Sequence, residues 1–447
     1  MIRNADELGG GDARETALAC VEAGIEAATP ERVIAERLSL DGDALSVAGA
    51  SYDLAGFDRI VVVGGGKAAG GVARGLESLL GDRVDGGAVV ASDPAETDRI
   101  AVIVGDHPVP SERSVEGARR VLDIAAGADE RTLVLAVVTG GASALLAAPA
   151  EGVSLADLRT TTDALLDSGA DIHAINAVRK HLSAIKGGQL ARVAAPATVV
   201  GLVLSDVVGN DLSAIASGPT APDDSTYADA LDVLDRRGID APDAVRERLS
   251  RGAAGELDET PRAGDPAFDR VRNHVLADGF TALAAARRVA RERGYGTCVL
   301  SSRVRGEARE AAKTHAAVGE EALATGNPVS APAVVLAGGE TTVTVRGDGE
   351  GGPNQEFALS AALELAASLR GADGDAALAS VDTDGRDGST DAAGALVDVD
   401  TVADAGEARG ALADNDAYAY LADRGALIRT GPTGTNVNDL RVLVVDA

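Results

Sequence analysis

Along the first two-thirds of the chain one pattern recurs: a short unbroken apolar run, a glycine or aspartate turn, then a stretch of helical period. Arg59–Val63 precedes Gly64-Gly65-Gly66, Leu133–Val138 precedes Gly140-Gly141, and Thr198–Leu204 precedes Asp206. Apolar runs without alternation predict strands buried on both faces, and the periodic stretches Ser114–Ala126 and Ala156–Ser168 predict the helices that cover them. The fold class that follows is α/β, a Rossmann-like doubly wound domain around a parallel sheet. In such sheets ligands sit beyond the carboxyl ends of the strands, where these turns fall.

Between Arg251 and Pro266 the chain turns rich in glycine, proline and acid, which predicts a boundary or an exposed crossover. Two domains are expected, over 1–265 and 266–447. In the second, strands are predicted near Asn273–Ala277 and Thr297–Ser301, and helices over Ala282–Arg293 and Glu307–Ala324. Glycine turns then return at Gly338-Gly339, Gly351-Gly352, Asp384-Gly385 and Thr430–Thr435. A short fixed-period repeat is absent from the pattern, which excludes a solenoid.

Composition narrows the function. With 447 residues the chain exceeds what one core usually serves, which suits two domains. A net charge of -29, with Tyr 5, Phe 4 and Trp 0, repels phosphate backbones and anionic membranes and leaves little for base stacking. Nucleic acid and membrane partners are therefore not expected. The acid is spread over the whole chain, and the only lysines are Lys67, Lys180, Lys186 and Lys313. Such a surface resembles that of halophilic proteins, which stay soluble in concentrated salt. Where lysine is this scarce, the few retained are enriched for places that need one. Lys313 lies in an ordinary charged helix; the other three lie in motif-like segments. Cys20 and Cys298 stand far apart, and neither a disulfide framework nor a cysteine metal site is indicated. With no apolar signal region and no run of membrane-spanning length, a soluble cytoplasmic protein is expected.

Four segments of the first domain carry candidate chemistry. In Val61–Gly70 a strand feeds three glycines and Lys67 at a helix start, an arrangement of free N–H groups, dipole end and mobile cation that favours an anion. It is no Walker A loop, and the alternative is a tight turn that happens to hold a lysine. Lys67 is the candidate contact for a carboxylate or the transferring phosphoryl group. Val138–Leu146 offers a second nest at Gly140, Gly141 and Ser143, or simply a close turn. In Ile175–Gly188, Asn176, Arg179, Lys180 and Ser183 would share one helical face suited to carboxylate and phosphate, the alternative being a solvated basic face. His181 is read as packing or surface. In Leu204–Asp223, Asp206 or Asp211 could hold Mg2+. Asp382, Asp384 and Asp387 around Gly385 also look like cation ligands, without the EF-hand spacing. The Thr430–Asn436 loop is rich in donors suited to phosphate oxygens.

Taken in order, GGGKA, GDHPVP, TGGASALL, NAVRKHLSAIKGG, SDVVGNDLSAIASGPT, AGGETTV, NQEFAL, DGRDGSTDAAGA and TGPTGTNVNDL resemble the motifs of the glycerate 2-kinase family whose C-terminal module is called MOFRL. The likeness spans nearly the whole chain. It implies a Rossmann-like domain, a smaller mixed α/β domain, an active site in the cleft between them, and conversion of D-glycerate and ATP to 2-phosphoglycerate with Mg2+. It assigns catalysis to Lys67; Arg179 is added from this sequence as a further catalytic candidate. Gly65, Gly66, Ser143, Asn176 and Lys180 are expected to bind the acid. Gly140, Gly141, Gly339, Glu340, Asn354, Gln355, Thr433, Gly434, Thr435 and Asn436 are expected to bind nucleotide or phosphate, and Asp206 and Asp384 the metal. Where the family often carries an arginine before its NQE motif this chain has Pro353, which leaves Arg179 and Arg386 as candidate replacements. A homodimer is an open assembly.

The rival readings are an NAD(P)-dependent hydroxypyruvate reductase and a non-catalytic metabolite-binding module. The reductase draws on a loose GxGxxA at Gly64, Gly66 and Ala69 and on the acidic Asp93 after the next strand. The Asp/Gly/Thr loops of the last third have no evident use in a dehydrogenase.

Overall fold

The computed structural model describes residues 1–370 and 375–446. The chain divides into two compact units, one made of Pro30–Leu276 and the other of Met1–Thr29 together with Ala277–Ala447.

In the first unit, β1 (Leu38–Asp41), β2 (Ala44–Val47) and β3 (Ala50–Asp53) form a small antiparallel meander. Then come β4 (Arg59–Gly65), β5 (Gly86–Ala91), β6 (Ile100–Val104), β7 (Thr132–Thr139), β8 (Thr198–Leu204) and β9 (Val271–Ala277). These six lie side by side in the order β6-β5-β4-β7-β8-β9, with β4, β5, β6, β7 and β8 paired in parallel. The order reverses between β4 and β7, which makes the crevice beyond their carboxyl ends the natural ligand position. All eight residues of β7 are buried, as expected of a strand covered on both faces. Val61, Val63, Val134, Ala136 and Val138 face Ala118, Val121 and Ala125 of the helix Glu112–Ala126. The helix Ala69–Leu80 packs on β5, β6 and β7. A satellite core around Tyr227, Val178, Leu182 and Leu234 joins the helices Leu155–Asp167, Ile172–His181, Tyr227–Arg237 and Asp243–Ala253, and it holds the Ile172–His181 helix in place.

The second unit contains β10 (Gly296–Val304), β11 (Ala333–Gly339), β12 (Asp375–Asp382), β13 (Gly394–Asp398), β14 (Leu427–Ile428) and β15 (Asp439–Asp446). Their order is β10-β11-β15-β12-β13-β14, and only β10 with β11 is a parallel pair. One face packs on the helices Ala308–Thr325 and Pro353–Ser368, through Val335, Leu378, Leu443, Val445 and Phe357. The other face is covered by the helices Asp12–Ala27 and Gly279–Glu292. Gly24 permits that close approach, since a methyl there would sit 2.4 Å from Leu440 Cδ2 and 3.2 Å from the Ala282 carbonyl.

The expected division at 265/266 therefore differs from the compact units. The N-terminal helix belongs to the second unit because its apolar face covers the β12 and β15 side of that sheet. The switch comes near 276 because β9 still adjoins β8. Strand and helix positions otherwise match the expectations to within a few residues. Among the described residues no helix is long and apolar enough to cross a membrane.

Candidate active site

In the first unit four strand ends bring their turns together. The turn after β4 passes so close to β7 that Gly66, at φ +130, has no room for a side chain: a methyl would lie 2.1 Å from Thr139 Oγ1. That closeness lets Lys67 N–H donate to the Gly140 carbonyl at 2.8 Å and Ala68 N–H to Thr139 Oγ1 at 3.2 Å. Gly141, at φ +80, starts the short helix Ala142–Leu145, and its missing side chain leaves space beside Lys67 Cγ and the His107 ring, at 2.9 and 3.1 Å from an added carbon. From the end of β8, Asp206 reaches Gly140, where the same construction places a carboxylate oxygen at 2.4 Å. Burial raises the Asp206 pKa, opposed by Lys67 and by the Gly141 N–H. Lys67, His107 and Asp206 thus surround one glycine pair.

Behind this turn lie two more cations. Lys186 is buried and donates from Nζ to the Ser143 and Leu146 carbonyls, at 2.9 and 3.0 Å. Burial, reinforced by Arg179, pulls its pKa down to about 7. Arg179 is itself drawn below the usual guanidinium value by burial, with Asp163 opposing. Among the described residues Arg179 makes no hydrogen bond and no ion pair. Asn176 is buried, and its Oδ1 accepts from Ser217 Oγ at 2.9 Å, while Ser217 Oγ lies 3.0 Å from Ser143 Oγ. The Lys180 side chain turns elsewhere, into a buried pair with Asp223 at 3.0 Å that Thr260 and Ser225 also contact.

The second unit gathers acids and hydroxyls after β12 and before β15. Asp387 accepts from the Asn354 and Gln355 N–H groups, at 3.0 and 2.8 Å, at the start of the helix Pro353–Ser368. Burial pushes its pKa up to about 7 against those bonds. Asp382 is raised well above the carboxylate range by burial and then by Asp384, Asp439 and Asp387. Thr433 Oγ1 donates to the Thr383 carbonyl at 2.6 Å, and Thr433 N–H to the Asp384 carbonyl at 3.2 Å, so the Thr430–Asn436 and Asp382–Asp387 loops adjoin. Gly434 is exposed at φ +77, and Asn436 Oδ1 accepts from Asn438 N–H at 3.0 Å. Gly339 ends β11 at φ +136 against Val304, and the Glu340 that follows is exposed. No group of three or more His, Cys, Asp or Glu poised to hold a metal occurs among the described residues.

Known proteins share this architecture. Residues 16–250 match the model described as a domain of unknown function, DUF4147, and residues 333–439 match the MOFRL family. A glycerate 2-kinase of Pyrococcus horikoshii is 40% identical over 442 residues, covering 97% of this chain and 98% of the relative. The chain belongs to the glycerate kinase family. A crystal structure of the family, glycerate kinase of Thermotoga maritima, superposes with a TM-score of 0.83 at 38% identity, over 96% of this chain and 99% of that one. An Agrobacterium vitis protein provisionally named a hydroxypyruvate reductase is 43% identical over 395 residues, 87% of each chain.

Against this family frame, the residues expected from the sequence divide into three groups. Gly65, Gly66, Lys67, Gly140, Gly141, Ser143 and Asp206 come together at the β4 and β7 turns, and Arg179 lies next to Lys186 behind them. Several residues expected to touch a ligand have side chains engaged elsewhere. Lys180 is held by Asp223, and Ser183 lies past the end of the helix, which stops at His181. Asn354 Nδ2 donates to Asp439 at 2.7 Å, Gln355 Nε2 to Thr390 at 2.7 Å, and Thr435 Oγ1 to the Ala28 carbonyl at 2.5 Å. These groups shape loops. The expected metal pair is divided, Asp206 in the first unit and Asp384 in the second. His181 is the packing residue expected, buried with Nδ1 on the Ala177 carbonyl at 2.7 Å. His107, Lys186 and Ser217 were not among the expected site residues. The GDHPVP motif held a signal for the first, lysine scarcity one for the second, and the Gly218-Pro219 turn beside the third marked a loop but not its role.

Proposed function

We propose that this chain transfers the γ-phosphate of ATP to the 2-hydroxyl of D-glycerate, giving 2-phosphoglycerate. The observation that carries the reading is the cluster at the strand ends of the first unit: Lys67 with Asp206 at the glycine nest, and Arg179, without a hydrogen bond or ion pair among the described residues, beside the buried Lys186. Burial and the neighbouring lysine make the half-buried Arg179 guanidinium favour an arriving anion, and phosphoryl transfer consists largely of placing anions and offsetting charge on phosphate oxygens. The names of the kinase relatives agree with this chemistry.

Lys67 contacts the acid or the transferring group, and Arg179 adds positive charge within the same unit. The second unit supports the metal and nucleotide part of the reading. Burial and then the neighbouring Asp384, Asp439 and Asp387 raise the proton affinity of Asp382, which a cation would relieve. Mg2+ commonly binds through one or two carboxylates plus phosphate oxygens, a ligand set that Asp382 or Asp384 could begin. Bound there, the ion would neutralise phosphate charge. The enzyme is read as cytoplasmic and as working in concentrated salt.

The test follows ADP and phosphoglycerate with D-glycerate, Mg-ATP and KCl, with NAD(P)H oxidation by hydroxypyruvate in parallel. Lys67→Ala should lower kcat/KM about 100-fold or more. NAD(P)H oxidation without ADP release would replace the kinase reading with the reductase.

A further inference from the structure

Ala216 and Ser217 are consecutive non-glycine residues at φ +54 and +60, both buried. Left-handed backbone at such residues is strained and persists only where surrounding contacts enforce it. Here the enforcing contacts come from the segment that also carries Lys186. Gly187 N–H donates to the Ser217 carbonyl at 2.9 Å and Gly188 N–H to the Gly218 carbonyl at 2.7 Å. The same segment grips the Ser143 carbonyl through Lys186 Nζ. One scaffold therefore fixes Ser143 and Ser217 against each other.

The proton count along this line sets a direction. Asn176 Oδ1 can only accept, so the single Ser217 hydroxyl proton goes to it. The 3.0 Å contact between the two serine hydroxyls then needs the Ser143 proton. Ser143, half-buried beside the nest, is left with oxygen lone pairs and no proton for a ligand. A carboxylate or phosphate oxygen would meet lone pairs there; a hydroxyl would be welcomed.

We propose that the Asn176–Ser217–Ser143 line locks Ser143 as a hydrogen-bond acceptor that reads the non-transferring hydroxyl of a dihydroxy acid, with Ser217 as the positioning residue. This rests on the kinase reading for the identity of the acid. Under it, D-glycerate donates its 3-hydroxyl to Ser143 while the cations take its charged groups. D-lactate keeps the 2-hydroxyl and lacks the one that is read. A site that pairs with a substrate hydroxyl rejects the analogue without it.

The experiment measures kcat/KM for D-glycerate and D-lactate in the full-length protein, with Kd for both acids by calorimetry. The wild type should favour D-glycerate. Ser217→Ala and Asn176→Leu, each freeing the line, should narrow that ratio roughly tenfold. Asn176→Asp, assayed at pH 8, keeps two acceptor oxygens and should preserve the ratio whatever its effect on rate. An unchanged ratio in Ser217→Ala and Asn176→Leu overturns the proposal. So does a collapse in Asn176→Asp equal to that in Asn176→Leu, because the line would then run the other way. If the wild type phosphorylates neither acid, the kinase reading fails by itself, and the Kd ratio across the same variants still decides the acceptor lock.

Discussion

Lys186 shows what burial does to a single side chain. Its ammonium donates to two carbonyls but has no carboxylate partner among the described residues, and Arg179 stands near it. Desolvation and the like charge together outweigh the two hydrogen bonds, so the folded pKa falls from 10.5 to about 7. The consequence for stability has a definite sign. Below about pH 7 both folded and unfolded chains carry the charge, and the cost of burying it is fully present. From pH 7 toward 10.5 the folded lysine is neutral while the unfolded one still holds its proton. The unfolded state then binds more protons, and stability rises with pH through that window. The Lys186→Met variant lacks the titrating group. Denaturant unfolding of both proteins from pH 6.5 to 9.5 should show the wild type gaining on the variant by on the order of 3 kcal/mol at most. A flat difference across that range would mean that Lys186 keeps its charge.

At the scale of elements, the strand-to-helix turns carry the site, and β4 makes the clearest test. Gly66→Ala would place a carbon 2.1 Å from Thr139 Oγ1 and 2.4 Å from the Thr139 carbonyl at a φ of +130. Backbone must move, which should cost about 1–3 kcal/mol and shift Lys67 off the Gly140 carbonyl. Thermal unfolding reads the first effect and kcat/KM the second; a variant with wild-type values in both would show that the turn is slack. The same elements mark what was legible in the sequence. Unbroken valine runs ending in glycine announce β4 and β7 because a strand covered on both faces has no polar side to show. The Lys67, Gly140 and Gly141 nest was legible for that reason. Arg179 and Lys180 were not separable: adjacent on one helix, both look like a cationic face, and only the packing that brings Asp223 to Lys180 distinguishes them. Ser217 was hidden because the adjoining Gly218-Pro219 announces a turn without showing that the Gly187 and Gly188 N–H groups, some thirty residues away, hold it in place. The expected first domain, 1–265, took in the stretch that forms the helix Asp12–Ala27, which belongs to the second compact unit, because nothing local in a sequence names the sheet a helix will cover.

For the molecule as a whole, charge decides. Asp+Glu 70 against Lys+Arg 41 leaves -29, and the surface pairs that do form, such as Arg288 with Glu292 and Arg236 with Asp232, sit at exposed helix positions. Each such pair contributes roughly 0–1 kcal/mol and is weakened by salt. The net excess of acid leaves mutual repulsion in the folded state, which salt relieves. Because repulsion acts among many charges at tens of ångströms while each pair acts locally, the relieved repulsion should exceed the weakened pairs. Screening has its own signature, with a Debye length of about 10 Å at 0.1 M and about 3 Å at 1 M. Thermal stability should therefore climb steeply in KCl up to about 1 M and then flatten. Strengthening of apolar burial behaves otherwise: it continues to rise with concentration and is larger for sulfate than for chloride. A melting-temperature series in KCl and K2SO4 at matched ionic strength separates them. Coincident curves that level off support charge repulsion as the main salt-sensitive destabilising force, and curves that diverge by anion and keep rising would assign the effect to the apolar cores.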